Sequence, residues 1–244
     1  MVHFLKKVLE ERYDGICISP IADLRVEKLL QKMAEKGVEV IFILSAFDSV
    51  PYRTLIGTDS YQCGRSTGEA VREALGADGA VGIIKWKDNL IETVEDRYHG
   101  VVDVLKENRI PYYDMTGPGE PTAEEATKLT DRLLTEHPDI SVLCATNVGW
   151  GLAFARYLKS KGKKVKLVTV DFTDEVGEFM KAGYVDAAIA QRPESWGSMT
   201  LEKIEAVFEG QSIPKTIDTG TYPVTPANIR TVSYTHLRAH ETLA

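Results

Sequence analysis

A repeated alternation of short apolar runs with amphipathic helical stretches constrains the fold of this chain more than any other feature. Helical spacing is found near residues 23–36, 91–108, 122–136, 148–160, 174–181 and 194–209. The apolar runs between them read DGICIS, VEVIFIL, AVGIIKW, IPYYDM, SVLCAT, KLVTVDF and VDAAIA. Strands that are almost continuously apolar and separated by helices are typical of parallel sheets covered on both faces. The pattern therefore predicts a doubly wound α/β protein.

Composition narrows the classes of partner. Hydrophobic residues make up 43% of the 244 residues, which is ample for a core, and the net charge is −7. An acidic surface repels phosphate backbones, so nucleic acid is not an expected partner. Nothing approaches the roughly 20 apolar residues that span a bilayer. Three unclustered cysteines imply neither a disulfide framework nor a zinc site, and we expect Cys17 and Cys144, inside apolar runs, to be core residues.

Both ends of the chain look irregular. Phe4, Leu5, Val8 and Leu9 form a helical stripe that leads into a strand, and no strand precedes this helix. We therefore interpret Met1 as an internal position of a longer protein. The missing strand predicts a less stable first half with an exposed strand edge or an unpaired central position. At the other end, residues 230–244 lack apolar periodicity and are predicted to be a non-native tail. His236 and His240 are four apart there, but without a third ligand we expect no metal site.

Ligands of open parallel sheets bind outside the carboxyl ends of the strands. The residues that directly follow the apolar runs or end them are Ser19, Ser45, Trp86, Asn147, Asp171 and Gln191. Asp171 could cap the next helix, but Thr173 and Asp174 are better placed to do so, which favours a ligand-facing carboxylate. Asn147 directly precedes a helix, so capping and ligand binding remain equal alternatives.

Three further side chains have competing interpretations. Arg97 borders the apolar stripe of its helix and has no acidic residue three or four positions away, so it pairs either with an acid on another element or with a ligand oxygen. Gln191 ends a strand just before Arg192-Pro193, where a surface glutamine would also be unremarkable. Trp86 could stack on a sugar, although packing is the commoner role at a sheet edge. Trp150 and Trp196 lie in helical stripes and are predicted to be core.

The usual enzyme motifs are missing from the sequence. It contains no G-x-G-x-x-G after a strand, no Walker phosphate loop, no G-x-S-x-G elbow and no H-E-x-x-H. An α/β enzyme would need a phosphate cradle or an acid/base pair, and neither is recognisable. We therefore expect a non-enzymatic protein without a cofactor.

The ordered set of segments resembles the ribose-binding branch of the periplasmic sugar-binding proteins and the related effector domains of lac-repressor-type regulators. The matching segments cover most of residues 14–229: ICISP, IGTDSYQCGRSTGEAV, EDRYHGVVDVL, LTEHPDISVLCATN, KLVTVD, DAAIAQRPESWG and IDTGTYPVTPANI. The resemblance implies two α/β lobes, each a doubly wound parallel sheet, with a ligand cleft between them and three crossing segments. By the same analogy the first lobe holds residues 1–58 and 192–218, and the second holds 59–191 and 219–229.

The resemblance also implies a function and a binding site. It places Ser19, Arg97, Asn147, Asp171 and Gln191 where the family has ligand hydrogen-bonding side chains. The implied protein is the periplasmic or extracytoplasmic substrate-binding component of a bacterial ABC importer, which binds a sugar and docks on the importer's permease. The effector domain of a transcription regulator is the alternative, although the ending D-T-G followed by V-T-P-A-N is more similar to the importer branch. Leu44-Ser45 and Val148 depart from close ribose binders, which argues against ribose itself.

Overall fold

The computed structural model describes residues 1–11, 13–76, 78–86 and 92–231. The chain divides into two compact units, Met1–Asp59 with Arg192–Gly220, and Ser60–Gln191 with the segment that begins at Thr221. In chain order the helices and strands are α1 (Val2–Glu11), β1 (Gly15–Ile18), α2 (Leu24–Glu35), β2 (Glu39–Ile43), β3 (Thr54–Gly57), α3 (Ser60–Leu75), β4 (Ala80–Trp86), α4 (Glu92–Glu107), β5 (Tyr112–Gly117), α5 (Ala123–Glu136), β6 (Ile140–Ala145), α6 (Val148–Lys161), β7 (Lys166–Val170), α7 (Asp174–Lys181), β8 (Ala187–Ala190), α8 (Pro193–Phe208), β9 (Thr216–Asp218) and β10 (Tyr222–Val224).

The first unit is built on a four-stranded parallel sheet in the order β1-β2-β3-β9. Helices α1 and α2 bury one face of the sheet in a cluster that includes Leu5, Leu30 and Phe42. Helix α8 lies on the other face, where the Ile204 side chain would collide with a Cβ at Gly15. Strand β1 pairs only with β2 among the described residues, so an edge of this sheet is open.

Burial in the first unit corrects two predictions. Cys17 is exposed, because it lies on edge strand β1 and alternates with Ile16 and Ile18, which point into the core. Trp196 is only half-buried, because its indole N–H donates to Thr219 Oγ1 (3.0 Å) at the polar start of α8. The large apolar side chains found exposed in the described chain all belong to this unit: Met1, Phe4, Tyr13, Ile21, Leu24, Leu201 and Phe208.

The second unit contains a six-stranded sheet in the order β10-β8-β7-β6-β4-β5. Its strands are parallel except β10, which runs antiparallel to β8. Helices α3 and α4 cover one face, and α5, α6 and α7 cover the other. Trp150 is fully buried in the latter layer, as predicted. The predicted fold class, α/β with parallel sheets covered by helices, is confirmed.

Several features predicted near the chain ends fall outside the described residues, including His236, His240 and the tail from residue 232. Within the described ranges no helix is both long and apolar enough to cross a bilayer. The same ranges contain no group of three or more His, Cys, Asp or Glu side chains suited to a metal ion. Cys63 and Cys144 are buried, and burial raises the pKa of the Cys144 thiol to about 12.

Candidate functional site

Polar side chains gather at the carboxyl ends of the central strands of the second unit. The chain passes from β4 outward to β5 and then returns to β6 on the other side of β4, so the winding direction changes between β4 and β6. Such a switch point is where open α/β sheets bind ligands. Asn147, Asp171 and Gln191 follow the neighbouring strands β6, β7 and β8 at this edge, and α4 brings Arg97 to them.

Arg97 is a buried cation with few partners. Its side chain is 5% exposed, and Nη1 donates to the Thr146 carbonyl oxygen across a long 3.4 Å. Among the described residues, the carboxylate that pairs with it is Asp171, whose Oδ2 lies 3.9 Å from Nη1, the outer limit of an ion pair. Nε is buried and has no hydrogen-bond partner within the described chain. Because a guanidinium offers five N–H donors and buried charge is costly unless it is bonded, this arrangement leaves donors for additional acceptors.

The position of Arg97 is fixed by a close crossing of α3 and α4. A Cβ at Gly64 of α3 would lie 2.7 Å from the Arg97 Cα, and one at Gly100 of α4 would lie 2.7 Å from the Arg65 backbone nitrogen. Each glycine therefore permits a backbone approach that a larger residue would prevent. The Tyr61 hydroxyl of α3 also donates to Asp103 of α4 (3.0 Å). The crossing thus sets the depth at which the guanidinium enters the site.

Asp171 and Gln191 form one hydrogen-bonded unit. Gln191 Nε2 donates to Asp171 Oδ1 at 2.6 Å, which orients the amide so that Oε1 is left buried without a partner in the described residues. Asp171 has a left-handed backbone, with φ of 69°, and its side chain is 31% exposed. Thr173 caps α7 by accepting from the Val176 N–H (3.3 Å), so Asp171 is not needed as the cap. The carboxylate is consequently available as an acceptor at the sheet edge.

Asn147 caps its helix and keeps its amide nitrogen available for a ligand, so ligand binding stays a prediction. Its Oδ1 accepts from the Trp150 N–H at 3.0 Å and caps α6, whereas Nδ2 is buried and has no partner in the described chain. Capping fixes the side chain, so Nδ2 is a pre-oriented donor. Beneath it, Gly151 lies so close to Thr169 that a Cβ would be 2.8 Å from the threonine Cβ. This packing holds the start of α6 against β7.

Together these residues provide a compact mixture of donors and acceptors. Arg97 and the Nδ2 of Asn147 donate, while the Asp171 carboxylate and the Oε1 of Gln191 accept. One cation and one anion make the set electrically neutral. A neutral molecule with several adjacent hydroxyls, each able to donate and accept, matches this set without leaving an uncompensated charge.

The other two predicted residues have different surroundings: Trp86 belongs to the α5–α7 layer and Ser19 belongs to the first unit. Trp86 packs with the α5–α7 layer, with its ring against Gly119, where a Cβ would lie 3.1 Å from Trp86 Cζ3. This placement favours the packing interpretation of Trp86, although its Nε1 is buried without a partner in the described residues. Ser19 follows β1 in the first unit and is exposed, and its role stays a prediction.

Two contributors were missed by the sequence analysis. The Thr146 backbone carbonyl accepts from Arg97, and no side-chain pattern indicates a carbonyl. The α3–α4 crossing was also missed, although Gly64 and Gly68 are spaced four apart in α3, a spacing that allows close helix contact. That spacing was a usable signal for the crossing.

A family model and several curated proteins are similar to this chain. A family model described as a periplasmic binding protein domain matches residues 1–212. The ribose import binding protein RbsB of Bacillus subtilis (strain 168) is 21% identical over 220 residues, covering 87% of this chain and 69% of that protein.

Solved structures show the same fold. A solute-binding protein of an ABC transporter from Burkholderia graminis C4D1M, in complex with D-arabinose, has a TM-score of 0.82 and 24% identity, covering 93% of this chain and 81% of that one. A putative LacI transcriptional regulator from Bacteroides fragilis has a TM-score of 0.80 and 20% identity, and the match covers 94% of this chain and 81% of that one. At these identities the similarity concerns the fold.

Proposed function

The chain belongs to the periplasmic binding protein domain family, and on that premise we propose that it is the substrate-binding component of a bacterial ABC importer. Its ligand is a sugar or a similar neutral polyhydroxylated molecule, which it captures without chemical change. Its macromolecular partner is the importer permease, and its location is extracytoplasmic. The relative named as a ribose import binding protein supports the transport role, and the D-arabinose complex supports a monosaccharide-sized ligand.

The observation that carries this proposal is the state of Arg97. A buried guanidinium with one long hydrogen bond and a carboxylate at 3.9 Å is poorly compensated by the residues that the structure describes. Ligand oxygens that accept from its free N–H groups would supply the missing bonds, and such charge-assisted bonds are among the stronger ones in proteins. Asp171 and Gln191 would accept from hydroxyls on the same molecule. That Ser19 adds a contact from the first unit is part of the proposal and rests on the resemblance.

A thermal-shift panel tests the ligand class. It should contain neutral pentoses, hexoses and polyols beside matched uronic acids and sugar phosphates. A ligand at a hundred times its dissociation constant adds about 2.7 kcal/mol to the free energy of unfolding, which is easily measured. We expect stabilisation by at least one neutral sugar and by none of the acidic analogues, because the site holds one cation and one anion and so has no net charge for an acidic ligand to offset. Stabilisation by acidic members alone would refute the neutral-ligand proposal.

The effector domain of a transcription regulator is the second candidate, and the likeness to the putative LacI regulator favours it. Both candidates have the same fold and bind a small molecule, so ligand binding does not distinguish them. An assay with a reconstituted importer does distinguish them. The importer role is supported if a complete importer, permease with ATPase, hydrolyses ATP in a ligand-dependent manner only when this protein is added. No stimulation by the saturated protein argues for the regulator.

A further inference from the structure

The second unit has a concentrated positive patch that the proposed function does not use. Residues 140–170 contain no Asp or Glu in a chain whose net charge is −7. The same stretch holds five lysines within eight residues at the end of α6 and the start of β7, here called the lysine patch: Lys159, Lys161, Lys163, Lys164 and Lys166. Four of them are exposed and Lys163 is half-buried.

Local contacts hold the patch in place without neutralising it. Lys159 Nζ lies 5.7 Å from the centre of the Phe179 ring, and Lys163 Nζ lies 5.6 Å from the centre of the Tyr157 ring. Lys166 Nζ donates to the Ala74 carbonyl oxygen at 2.5 Å. Aromatic faces and a carbonyl orient ammonium groups but leave their charge, so the patch keeps its positive field.

Two acidic side chains of this region, Asp186 and Glu178, are already engaged. Asp186 lines the same shallow groove of about 380 Å³, and its Oδ2 accepts from the Leu167 N–H at 2.9 Å. Glu178 pairs with Lys181 at 2.8 Å on α7. Lys161 and Lys164 have no ion-pair partner among the residues that the structure describes. The helix dipole favours cations near the C-terminus of α6, which explains one or two of these lysines but not all five.

The patch and the ligand site lie at opposite ends of the same sheet. Lys166 is the first residue of β7 and Asp171 directly follows the last, so the five-residue strand separates them. A partner that binds the patch at the amino ends of the strands would therefore leave the carboxyl ends of the strands in this unit free. Binding there is compatible with ligand capture.

We propose that the lysine patch docks the protein on an anionic phospholipid surface. Lysines are flexible point charges, and the patch lacks the planar forks of arginine that suit a defined carboxylate or phosphate site. Clustered lysines around a half-buried tyrosine, Tyr184, match a bilayer surface where negative charge is spread out and aromatic rings settle at the headgroups. This inference is independent of which ligand the protein transports.

Sedimentation with lipid vesicles tests the proposal on the full chain. The protein should bind vesicles of phosphatidylglycerol mixed with phosphatidylcholine, should not bind pure phosphatidylcholine, and should be released by salt. Because each lysine near an anionic surface contributes about a fivefold gain in affinity, replacing four lysines by glutamine should weaken binding by on the order of several hundredfold. The patch variant carries K159Q, K161Q, K164Q and K166Q.

A control variant separates a local patch from net charge. Replacing four exposed lysines of the first unit by glutamine (K6Q, K28Q, K32Q and K36Q) changes the net charge equally. Equal losses in the two variants would overturn the proposal, as would absence of binding by the unmodified protein or equal binding to phosphatidylcholine. Binding to immobilised polyglutamate but not to vesicles would assign the patch to an acidic protein segment and would also overturn it. Circular dichroism of both variants checks that each is folded.

Discussion

Replacing Arg97 by alanine separates a ligand contact from a structural ion pair. Bonds to a charged group contribute about 1.5–3 kcal/mol each, so loss of the guanidinium should weaken binding about 10- to 150-fold. The free energy of unfolding without ligand should change by only about 1 kcal/mol, the usual effect of a single substitution. Asp171 would keep its bond to Gln191 (2.6 Å) and its access to solvent, so it would not become an isolated buried charge.

The structural alternative predicts the reverse result. If Arg97 serves to neutralise Asp171, its removal breaks a buried ion pair and costs about 3–5 kcal/mol of unfolding free energy. The observed separation of 3.9 Å and the 31% exposure of the Asp171 side chain argue against that outcome. Urea unfolding without ligand and calorimetric titration with the best sugar from the thermal-shift panel measure the two quantities. A loss above about 3 kcal/mol with unchanged affinity would refute the assignment of Arg97 to the ligand.

Two matched variants sharpen this test. Arg156 belongs to the same unit, is 58% exposed and pairs with Glu175 at 2.7 Å, so Arg156→Ala should change neither affinity nor stability appreciably. Arg97→Lys keeps the charge but lacks the planar fork of donors, so it should recover only part of the affinity. Full recovery by lysine would mean that charge alone matters at this position.

Further variants test the packing and the hydrogen bonds. Gly64→Ala should lower stability by about 1–3 kcal/mol and weaken ligand binding, because a Cβ there meets the Arg97 backbone. Gly197→Ala, a helical glycine with open space around it, should be neutral or slightly stabilising. Gln191→Glu places a second carboxylate against Asp171, so the affinity for ligand at neutral pH should fall; an unchanged affinity would contradict the contact. A thiol reagent should label Cys17 alone in the folded protein, slowly near pH 8 and faster with rising pH, because partial burial of this otherwise exposed thiol raises its pKa to about 11.

The second-unit strands were predictable from sequence because both faces of their sheet are buried. The run AVGIIKW coincides with β4 (Ala80–Trp86), and KLVTV coincides with β7. Helix α7 begins at Asp174, as predicted, because Thr173 supplies its cap. The alternation did not identify β3 or α3: only two of the four residues of the strand TLIG have apolar side chains, and the small polar residues and glycines of the helix weaken its apolar stripe. Cys17 was misjudged because an apolar run does not reveal that its strand lies at an edge.

The candidate site was predictable in its strand-end residues and not in its geometry. Parallel strands bring their carboxyl ends to one edge, so Asn147, Asp171 and Gln191 could be named together from their places in the sequence. Arg97 depends on a different cause, since the depth of its guanidinium follows from how closely α4 approaches α3. That approach is decided by tertiary contacts at Gly64 and Gly100, which local periodicity does not contain.

Departures from ordinary packing rules converge at this edge of the second unit. Arg97 Nε, Asn147 Nδ2 and Gln191 Oε1 are buried without partners in the described chain, and each such group costs about 1–3 kcal/mol. Asp171 adds a left-handed backbone, which costs a further 1–3 kcal/mol or so. Ser60, Trp86 and Ser141 of this unit also bury a polar side-chain atom without a described partner, but the three atoms at this edge lie around the switch point, where open sheets bind ligands. A ligand that bonds to all four side chains would offset them together, whereas a purely structural role would require a separate reason for each.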